Sequence, residues 1–274
     1  MARLAQRLAR RGITVGLVPT MGALHEGHLS LIRTAAAQTD HVIVTIFVNP
    51  LQFGPREGFT RYPRTLRRDV RLARHAGADI VFAPAVEEIY PERFQTSVEV
   101  KGPAQRWEGA LRPGHFRGVA TVVTILFSLT HPAIAYFGQK DYQQVRIVEQ
   151  LVQDLRLPLR IRMLPTVRAT NGLAMSSRNV YLSAAQREQA AALYRALVFG
   201  RERIRRGMRS APSLIQSMQQ LVKEAMPGVQ LDYLAVTDAK TLEPLRRLQG
   251  QVAILIAAKF GNTRLIDNIL VDVP

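Results

Sequence analysis

A loop that carries two histidines follows the first strand-like segment of the chain. Residues 19–28 read PTMGALHEGH, and His25 and His28 lie three positions apart at the start of a predicted helix, so their rings can face the same way. Backbone N–H groups and the helix dipole favour anions at such a place. Two imidazoles there can donate hydrogen bonds to phosphate oxygens and to charge developing on phosphorus. The alternatives are two exposed loop histidines, or a zinc site whose third ligand is not evident.

A second motif, FGQKDYQQ at residues 137–144, lies at another predicted strand-to-helix junction. Gly138 can turn the chain, and Lys140 would place a compact positive charge at the end of the strand, which suits a triphosphate. Asp141 can cap the helix that follows, and Gln144 lies one turn along it. The alternative interpretation is a capped helix with no ligand.

Two further motifs are weaker when each is considered alone. In GLAMSSRN (172–179), hydroxyl groups stand beside Arg178, a combination that can clamp phosphate groups, although a plain surface loop has the same composition. In FVNPLQFG (47–54), Asn49 and Gln52 can hydrogen-bond a small hydroxy acid, or they can simply form a turn. Because the motifs follow different predicted strands, we expect all four to converge on one crevice of a parallel sheet.

The elements that position these motifs alternate between strand and helix over the first 165 residues. Val119–Leu129 fits a helix or a buried strand, and its length favours a helix. The alternation predicts a Rossmann-like, doubly wound parallel sheet with helices on both faces. The predicted strands are Ile13–Val18, Val42–Val48, Ile80–Phe82, Ile134–Phe137 and Leu159–Leu164, and the other predicted helices are Leu29–Gln38, Thr65–His75 and Tyr142–Leu155.

The pattern changes after Pro165, which predicts a smaller C-terminal α+β domain. Ser183 and Gln186 form a capping box for a helix predicted to run to about Arg206. The remaining predicted elements are a helix after Pro212, a strand at Leu231–Val236, and strands Ala253–Phe260 and Leu265–Val271 joined by a turn at Gly261-Asn262. We therefore place domain boundaries at residues 1–165 and 166–274.

The composition is that of a folded, strongly basic protein. Of the 274 residues, 47% are hydrophobic, which excludes a disordered chain, and no apolar run is long enough to span a membrane. The absence of cysteine excludes disulfides and thiolate metal sites and favours a cytoplasmic location. The arginine-containing segment Met1–Arg11 is not followed by the apolar segment of a secretory signal.

The net charge favours anionic partners. It is +16, and only five of the 37 basic residues are lysine. A solvated arginine-rich surface explains most of this charge equally well. No aromatic residues interleave with the arginine run at 201–209, so we expect no nucleic-acid partner.

Taken together, the motifs resemble those of the pantothenate synthetase (pantoate–β-alanine ligase) family. The resemblance extends from about Gly12 to the end of the chain and includes YPRT (62–65) and RPGHFRGVATVV (112–123) besides the four motifs above. The His-x-Gly-His element alone is shared with other nucleotidyltransferases and with class I aminoacyl-tRNA synthetases.

The resemblance implies a two-step, ATP-dependent ligation. Pantoate carboxylate would attack the α-phosphorus of ATP to give pantoyl adenylate and pyrophosphate, and the amine of β-alanine would then displace AMP. It further implies Mg²⁺ carried on the ATP phosphates and a homodimer formed through the nucleotide-binding domain. Residues 1–165 would bind ATP and pantoate, and residues 166–274 would form a lid.

The resemblance also assigns residues to roles. His28, His25, Lys140 and Arg178 would be catalytic, and Gln52 and Gln144 would hold pantoate, with Gln52 also near β-alanine. Attack by an ionised carboxylate needs no proton removal, so we expect His28 mainly to stabilise phosphate charge. The ATP site would comprise Met21, Gly22, Ala23, Leu24, His25, Glu26, Gly27, His28, Gly138, Gln139, Lys140, Asp141, Val167, Met175, Ser176, Ser177 and Arg178.

One segment departs from the family pattern. Residues 168–171 read Arg-Ala-Thr-Asn where the family usually has Arg-Glu-Ala-Asp, so two acids are lost beside the 172–179 motif. This difference leaves open how that loop is supported.

Two other functions remain as alternatives from sequence alone. A related nucleotidyltransferase would release an adenylylated small molecule instead of transferring it to an amine. A basic RNA-binding protein would use the fold without catalysis, but the sequence offers it no aromatic platform or binding module.

Overall fold

The computed structural model describes residues 1–54 and 58–274. The chain divides into two compact units, which we call unit 1 (residues 1–139 and 143–165) and unit 2 (residues 140–142 and 166–274). Within the described residues, no helix combines the length and the apolar character needed to cross a bilayer.

The chain up to Pro165 alternates strands and helices. Its elements are α1 (Ala2–Arg10), β1 (Val15–Thr20), α2 (Glu26–Gln38), β2 (His41–Ile46), α3 (Leu66–His75), β3 (Ile80–Phe82), α4 (Val86–Ile89), α5 (Glu108–Leu111), α6 (His115–Thr130), β4 (Ile134–Gly138), α7 (Tyr142–Asp154) and β5 (Arg160–Leu164). The segment that fitted either a helix or a strand is the helix α6. The first strand lies two residues later than predicted, because its pairing with β2 continues through Pro19 to Thr20.

The strands of unit 1 form a five-stranded parallel sheet in the order β3-β2-β1-β4-β5. The predicted doubly wound sheet is therefore confirmed. The strand order reverses at β1, whose neighbours are β2 and β4. In sheets of this kind, ligands bind beyond the carboxyl ends of the strands at the reversal. Those ends carry the histidine loop and the 137–144 motif.

The two faces of the sheet are covered by separate hydrophobic cores. Val15 and Leu17 of β1 pack with apolar residues of α1, α6 and α7, whereas Val18 packs with Leu31 and Ile32 of α2. Because neighbouring residues of a strand point to opposite faces, the apolar runs of β1 and β2 place side chains in both cores.

Unit 2 packs helices against a three-stranded antiparallel sheet. Its elements are α8 (Ala184–Ala190), α9 (Ala192–Arg205), α10 (Ala211–Ala225), β6 (Gln230–Asp238), β7 (Gln251–Phe260) and β8 (Thr263–Asp272). The predicted two-residue hairpin is confirmed, since Phe260 pairs with Thr263 across Gly261-Asn262. The Ser183–Gln186 capping box is also present.

The helix predicted from Ser183 to about Arg206 is present as two segments, α8 and α9, which are separated by one residue. The division falls at Ala191, which keeps helical dihedral angles (φ −61°, ψ −20°). It lies within three consecutive buried alanines, Ala190–Ala192. Ala191 N donates to Arg187 O and Arg195 N donates to Ala191 O, both at 3.3 Å, so helical hydrogen bonding continues across the division.

Candidate active site

The loop between β1 and α2 is held by a buried carboxylate from α3. Gly22 (φ +85°) and Ala23 (φ +50°) take the chain through the left-handed region directly after β1. The fully buried Asp69 accepts hydrogen bonds from the N–H groups of Ala23 and Leu24, both at 2.9 Å. Thr65 Oγ1 donates to the same carboxylate at 3.0 Å. The sequence interpretation missed Asp69, whose only signal is that it is acidic within a basic helix.

The two histidines lie together at the amino end of α2. His25 is the N-cap residue, and its Nδ1 accepts a hydrogen bond from Gly27 N at 3.2 Å. His28 Nδ1 accepts from His25 N at 3.3 Å, and the ring centroids are 4.1 Å apart. Because Nδ1 of each ring is an acceptor, the neutral rings carry their proton on Nε2. The pair can therefore donate hydrogen bonds through Nε2 at the positive end of a helix dipole.

The turn after β2 brings a second motif of unit 1 to the histidine loop. Asn49 caps the short 3-10 helix Pro50–Gln52, and Gln52 Nε2 lies 2.9 Å from Met21 Sδ. The turn packs directly on α6 at Gly118, where a Cβ atom would lie 2.3 Å from the backbone oxygen of Leu51. A larger residue at position 118 would push the turn away from α6.

Two further residues that sequence reasoning left without a role hold the backbone of this turn. The Gln52 carbonyl accepts a hydrogen bond from His115 Nδ1 at 2.8 Å. Arg112 Nη1 donates to Nε2 of the same ring at 3.1 Å. Both residues lie in the 112–123 stretch that carries part of the family resemblance.

The segment after β4 is tied to β8 within unit 2. The Lys140 carbonyl accepts a hydrogen bond from Asn268 Nδ2 at 2.9 Å, and the Lys140 ammonium lies 3.3 Å from Asp141 Oδ1. Tyr142 donates its hydroxyl hydrogen to the carbonyl of Ala239 at 2.5 Å. The backbone and neighbours of Lys140 are therefore set by residues about a hundred or more positions away.

The loop of residues 166–179 forms a compact turn within unit 2. Met175 N donates to Val167 O at 2.9 Å, and Ser176 Oγ accepts from Arg178 N at 3.2 Å. Asn171 Oδ1 accepts from Leu173 N, and its Nδ2 donates to Glu188 at 3.0 Å. The amide of Asn171 thus supports the loop at the position where the family pattern has an acid.

A buried ion pair anchors the start of this loop. Arg168 makes two hydrogen bonds to the Asp267 carboxylate, at 2.6 and 2.9 Å, and stacks on Tyr194 with its guanidinium carbon 3.8 Å from the ring centroid. Arg168 Nη1 also donates to Gly172 O at 3.1 Å. Burial raises the pKa of the Asp267 carboxyl, and the hydrogen bonds from Arg168 oppose that shift. The pair links β8 to the 166–179 loop.

The predicted site residues are distributed over both units. Contacts within unit 1 join Met21 to Gln52, and contacts within unit 2 join Val167 to Met175 and Ser176 to Arg178. Unit 1 holds Met21–His28, Gln52, Gly138, Gln139 and Gln144, and unit 2 holds Lys140, Asp141, Val167 and Met175–Arg178. Their roles, and their convergence on one crevice, stay predictions.

Comparisons with known proteins agree with the motifs. The sequence model of the family described as pantoate-beta-alanine ligase matches residues 1–270. The pantothenate synthetase of Moorella thermoacetica is 53% identical over 264 residues, which cover 96% of this chain and 93% of that protein. The pantothenate synthetase of Syntrophomonas wolfei is 48% identical over 274 residues, which cover all of this chain and 97% of that protein.

Solved structures show the same similarity. The crystal structure of pantothenate synthetase from Thermus thermophilus matches with a TM-score of 0.91 at 48% identity, over 97% of this chain and 96% of that one. The Francisella tularensis pantoate-beta-alanine ligase, complexed with a β,γ ATP compound and β-alanine, matches with a TM-score of 0.77 at 34% identity, over 98% and 95% of the two chains.

Proposed function

Because this chain belongs to the pantoate–β-alanine ligase family and is an ATP-dependent ligase, we propose that the histidine loop, the 137–144 motif and the 166–179 loop are the parts that perform its reaction. The enzyme condenses pantoate with β-alanine through pantoyl adenylate and releases pyrophosphate and AMP. The observation that carries the residue assignment is the pair of histidine rings at the amino end of α2, whose centroids lie 4.1 Å apart, on the same loop as Met21, which contacts Gln52.

In the first step two anions must meet. A pantoate carboxylate oxygen forms a bond to the α-phosphorus while the bond from that phosphorus to the pyrophosphate oxygen breaks. No proton has to be removed from the attacking group. His25 and His28 donate hydrogen bonds from Nε2 to the phosphate oxygens, and the histidine loop from Met21 to His28 holds the nucleotide with Gly138 and Gln139.

Unit 2 supplies positive charge to the same nucleotide in this proposal. Lys140 neutralises the phosphates as a point charge, and Arg178 holds the leaving pyrophosphate through two parallel hydrogen bonds. Asp141, Val167 and Met175–Ser177 complete the ATP site. The hydrogen bond between Met175 N and Val167 O supports grouping these two residues together.

In the second step the amine nitrogen of β-alanine attacks the carbonyl carbon of the mixed anhydride. The bond from that carbon to the AMP oxygen breaks, and the attacking nitrogen loses a proton to solvent, which leaves the neutral amide. Water would hydrolyse the same anhydride, so the site has to exclude it. We assign this exclusion to residues 166–274 acting as a lid, and the binding of ATP and pantoate to residues 1–165.

Mg²⁺ fits this site as a partner of ATP. The residues assigned to the nucleotide are mainly backbone N–H groups and cationic side chains, and no group of three potential ligands occurs among residues 1–54 and 58–274. Mg²⁺ keeps several waters and binds substrate phosphates readily, so it needs no protein cage. When bound there, it neutralises phosphate charge.

A pyrophosphate-release assay tests the reaction directly. With ATP and pantoate alone, we expect one pyrophosphate per enzyme at most, because the adenylate stays bound. AMP should appear only after β-alanine is added. Multiple turnovers of pyrophosphate without β-alanine, with a free adenylylated product, would contradict the proposal.

Replacement of Gln52 by alanine tests the pantoate site. Gln52 is buried in the short 3-10 helix that follows β2, beside Met21. We expect Gln52→Ala to raise the KM for pantoate about tenfold or more and to leave the KM for ATP within about twofold, since it removes one substrate hydrogen bond. Initial rates at varied pantoate and ATP measure both. An unchanged KM for pantoate would show that Gln52 does not bind this substrate. Gln144 is assigned to the pantoate site by resemblance alone.

We also propose a cytoplasmic homodimer formed through unit 1. Four leucines of that unit are exposed, Leu51, Leu66, Leu111 and Leu155, and exposed apolar side chains are candidates for a covered interface. Light scattering is expected to give twice the mass of one chain. A monomer at micromolar concentration would contradict this.

A further inference from the structure

Gln52 is held by a second amide, that of Asn49. Asn49 is 1% exposed and Gln52 is 8% exposed, and Asn49 Nδ2 lies 3.1 Å from Gln52 Oε1. The hydroxyl of Tyr90, at the end of α4, lies 2.8 Å from Asn49 Oδ1. These three side chains form a buried chain of hydrogen bonds that leads from Tyr90 to the residue assigned to pantoate.

Two backbone groups identify which atom of the Asn49 amide is the oxygen and which is the nitrogen. Leu51 N–H, which can only donate, lies 3.2 Å from Asn49 Oδ1. The Gly118 carbonyl, which can only accept, lies 3.0 Å from Asn49 Nδ2. If the Asn49 amide were flipped, its NH₂ group would face the Leu51 N–H and its oxygen would face the Gly118 carbonyl oxygen, and neither pair can form a hydrogen bond. Asn49 Oδ1 is therefore the acceptor, and the Tyr90 hydroxyl must donate to it.

The orientation of Asn49 determines that of Gln52. The second N–H of Asn49 Nδ2 donates to Gln52 Oε1, so the Gln52 oxygen is turned toward Asn49. Gln52 Nε2 is turned toward Met21, on the histidine loop. The main chain of Gln52 is fixed separately by His115. Gln52 therefore presents a hydrogen-bond donor, not an acceptor, to the region next to the loop.

We propose that Tyr90 is a positioning residue that acts through Asn49 to keep the Gln52 NH₂ group facing the substrate, so that the site selects an oxygen acceptor such as a carboxylate. This inference rests on the proposed pantoate-binding role of Gln52. The aromatic ring of Tyr90 is held between Phe47 and Phe94, with centroids 5.9 and 4.9 Å away. Burial also raises the pKa of the Tyr90 hydroxyl, which keeps its proton available for donation.

The first test separates donor from acceptor at Gln52. Glutamate has nearly the same shape, but in Gln52→Glu the atom that faces the substrate becomes a carboxylate oxygen. We expect Gln52→Glu to raise the KM for pantoate more than Gln52→Ala does, because an acceptor then faces an anion. If Gln52 presented its oxygen, glutamate would retain that contact and be milder than alanine, which would overturn the inference.

The second test concerns Tyr90. We expect Tyr90→Phe to raise the KM for pantoate about three- to tenfold and to leave the KM for ATP within about twofold. In the Gln52→Ala background the same change should have no further effect on pantoate, since Tyr90 acts through Gln52. Tyr136→Phe is the matched control, because it removes another part-buried tyrosine hydroxyl bond, to Gln38 at 3.2 Å.

The outcomes distinguish this inference from the proposed function. If Gln52→Ala leaves the KM for pantoate unchanged, the proposed role of Gln52 fails, and the inference fails with it. If Gln52→Ala weakens pantoate use but Tyr90→Phe behaves like wild type, only the inference fails. A Tyr90→Phe effect that persists in full in the Gln52→Ala background would also overturn it.

Discussion

Replacing His28 by alanine is expected to lower the rate of adenylate formation at least about a hundredfold, the scale for losing one transition-state hydrogen-bond donor. The Nε2 donor of the second ring at the amino end of α2 disappears, while His25 remains. The rate of pyrophosphate release in a single turnover with ATP and pantoate measures the effect. A near-normal rate would remove His28 from the reaction.

A matched variant separates this effect from helix capping. His28 Nδ1 also accepts the N–H of His25, so alanine removes part of the capping box of α2. Asparagine places an acceptor near the position of Nδ1 but has no atom at the position of Nε2. Removing a helix cap typically costs about 1 kcal/mol of folding stability. We expect His28→Asn to recover the stability that His28→Ala loses, but not the rate of adenylate formation. Recovery of both would show that capping, not catalysis, explains the loss.

Replacing Arg168 by methionine is expected to destabilise the protein by about 3–5 kcal/mol, because it leaves the Asp267 carboxylate buried without its partner. Asp267 is 4% exposed and receives both bonds of the guanidinium fork. The free energy of unfolding in urea measures the change. The control is Arg205→Met, which removes an exposed pair with Glu202 at 3.4 Å and is expected to cost at most about 1 kcal/mol.

The loss of stability caused by Arg168→Met should depend on pH in a defined direction. Burial already raises the pKa of the Asp267 carboxyl, and removing Arg168 removes the largest opposing effect. The folded variant then binds a proton more readily than the unfolded chain, so its stability falls as pH rises from the ordinary carboxyl range through the raised folded pKa. We expect a larger deficit at pH 7 than at pH 5. Adding Asp267→Asn should recover much of it at pH 7, and a deficit independent of pH would contradict this account.

Local patterns in the sequence determined the fold class and the candidate residues. The alternation of strand-like and helix-like segments identified the parallel sheet, and the apolar run Val42–Val48 identified a strand buried on both faces. Gly261-Asn262 identified the hairpin, and the spacing of His25 and His28 identified one face at a helix start. Apart from the alternation, each of these signals is contained within a few consecutive residues.

The tertiary structure alone decided how those residues are held. Asp69 reaches Ala23 across 46 positions, Tyr90 reaches Asn49 across 41, and Arg168 reaches Asp267 across 99. No periodicity or spacing marks such pairs, because each member is an ordinary polar residue of its own segment. Their partners are fixed only when burial removes water and leaves each polar group to find a hydrogen bond within the protein.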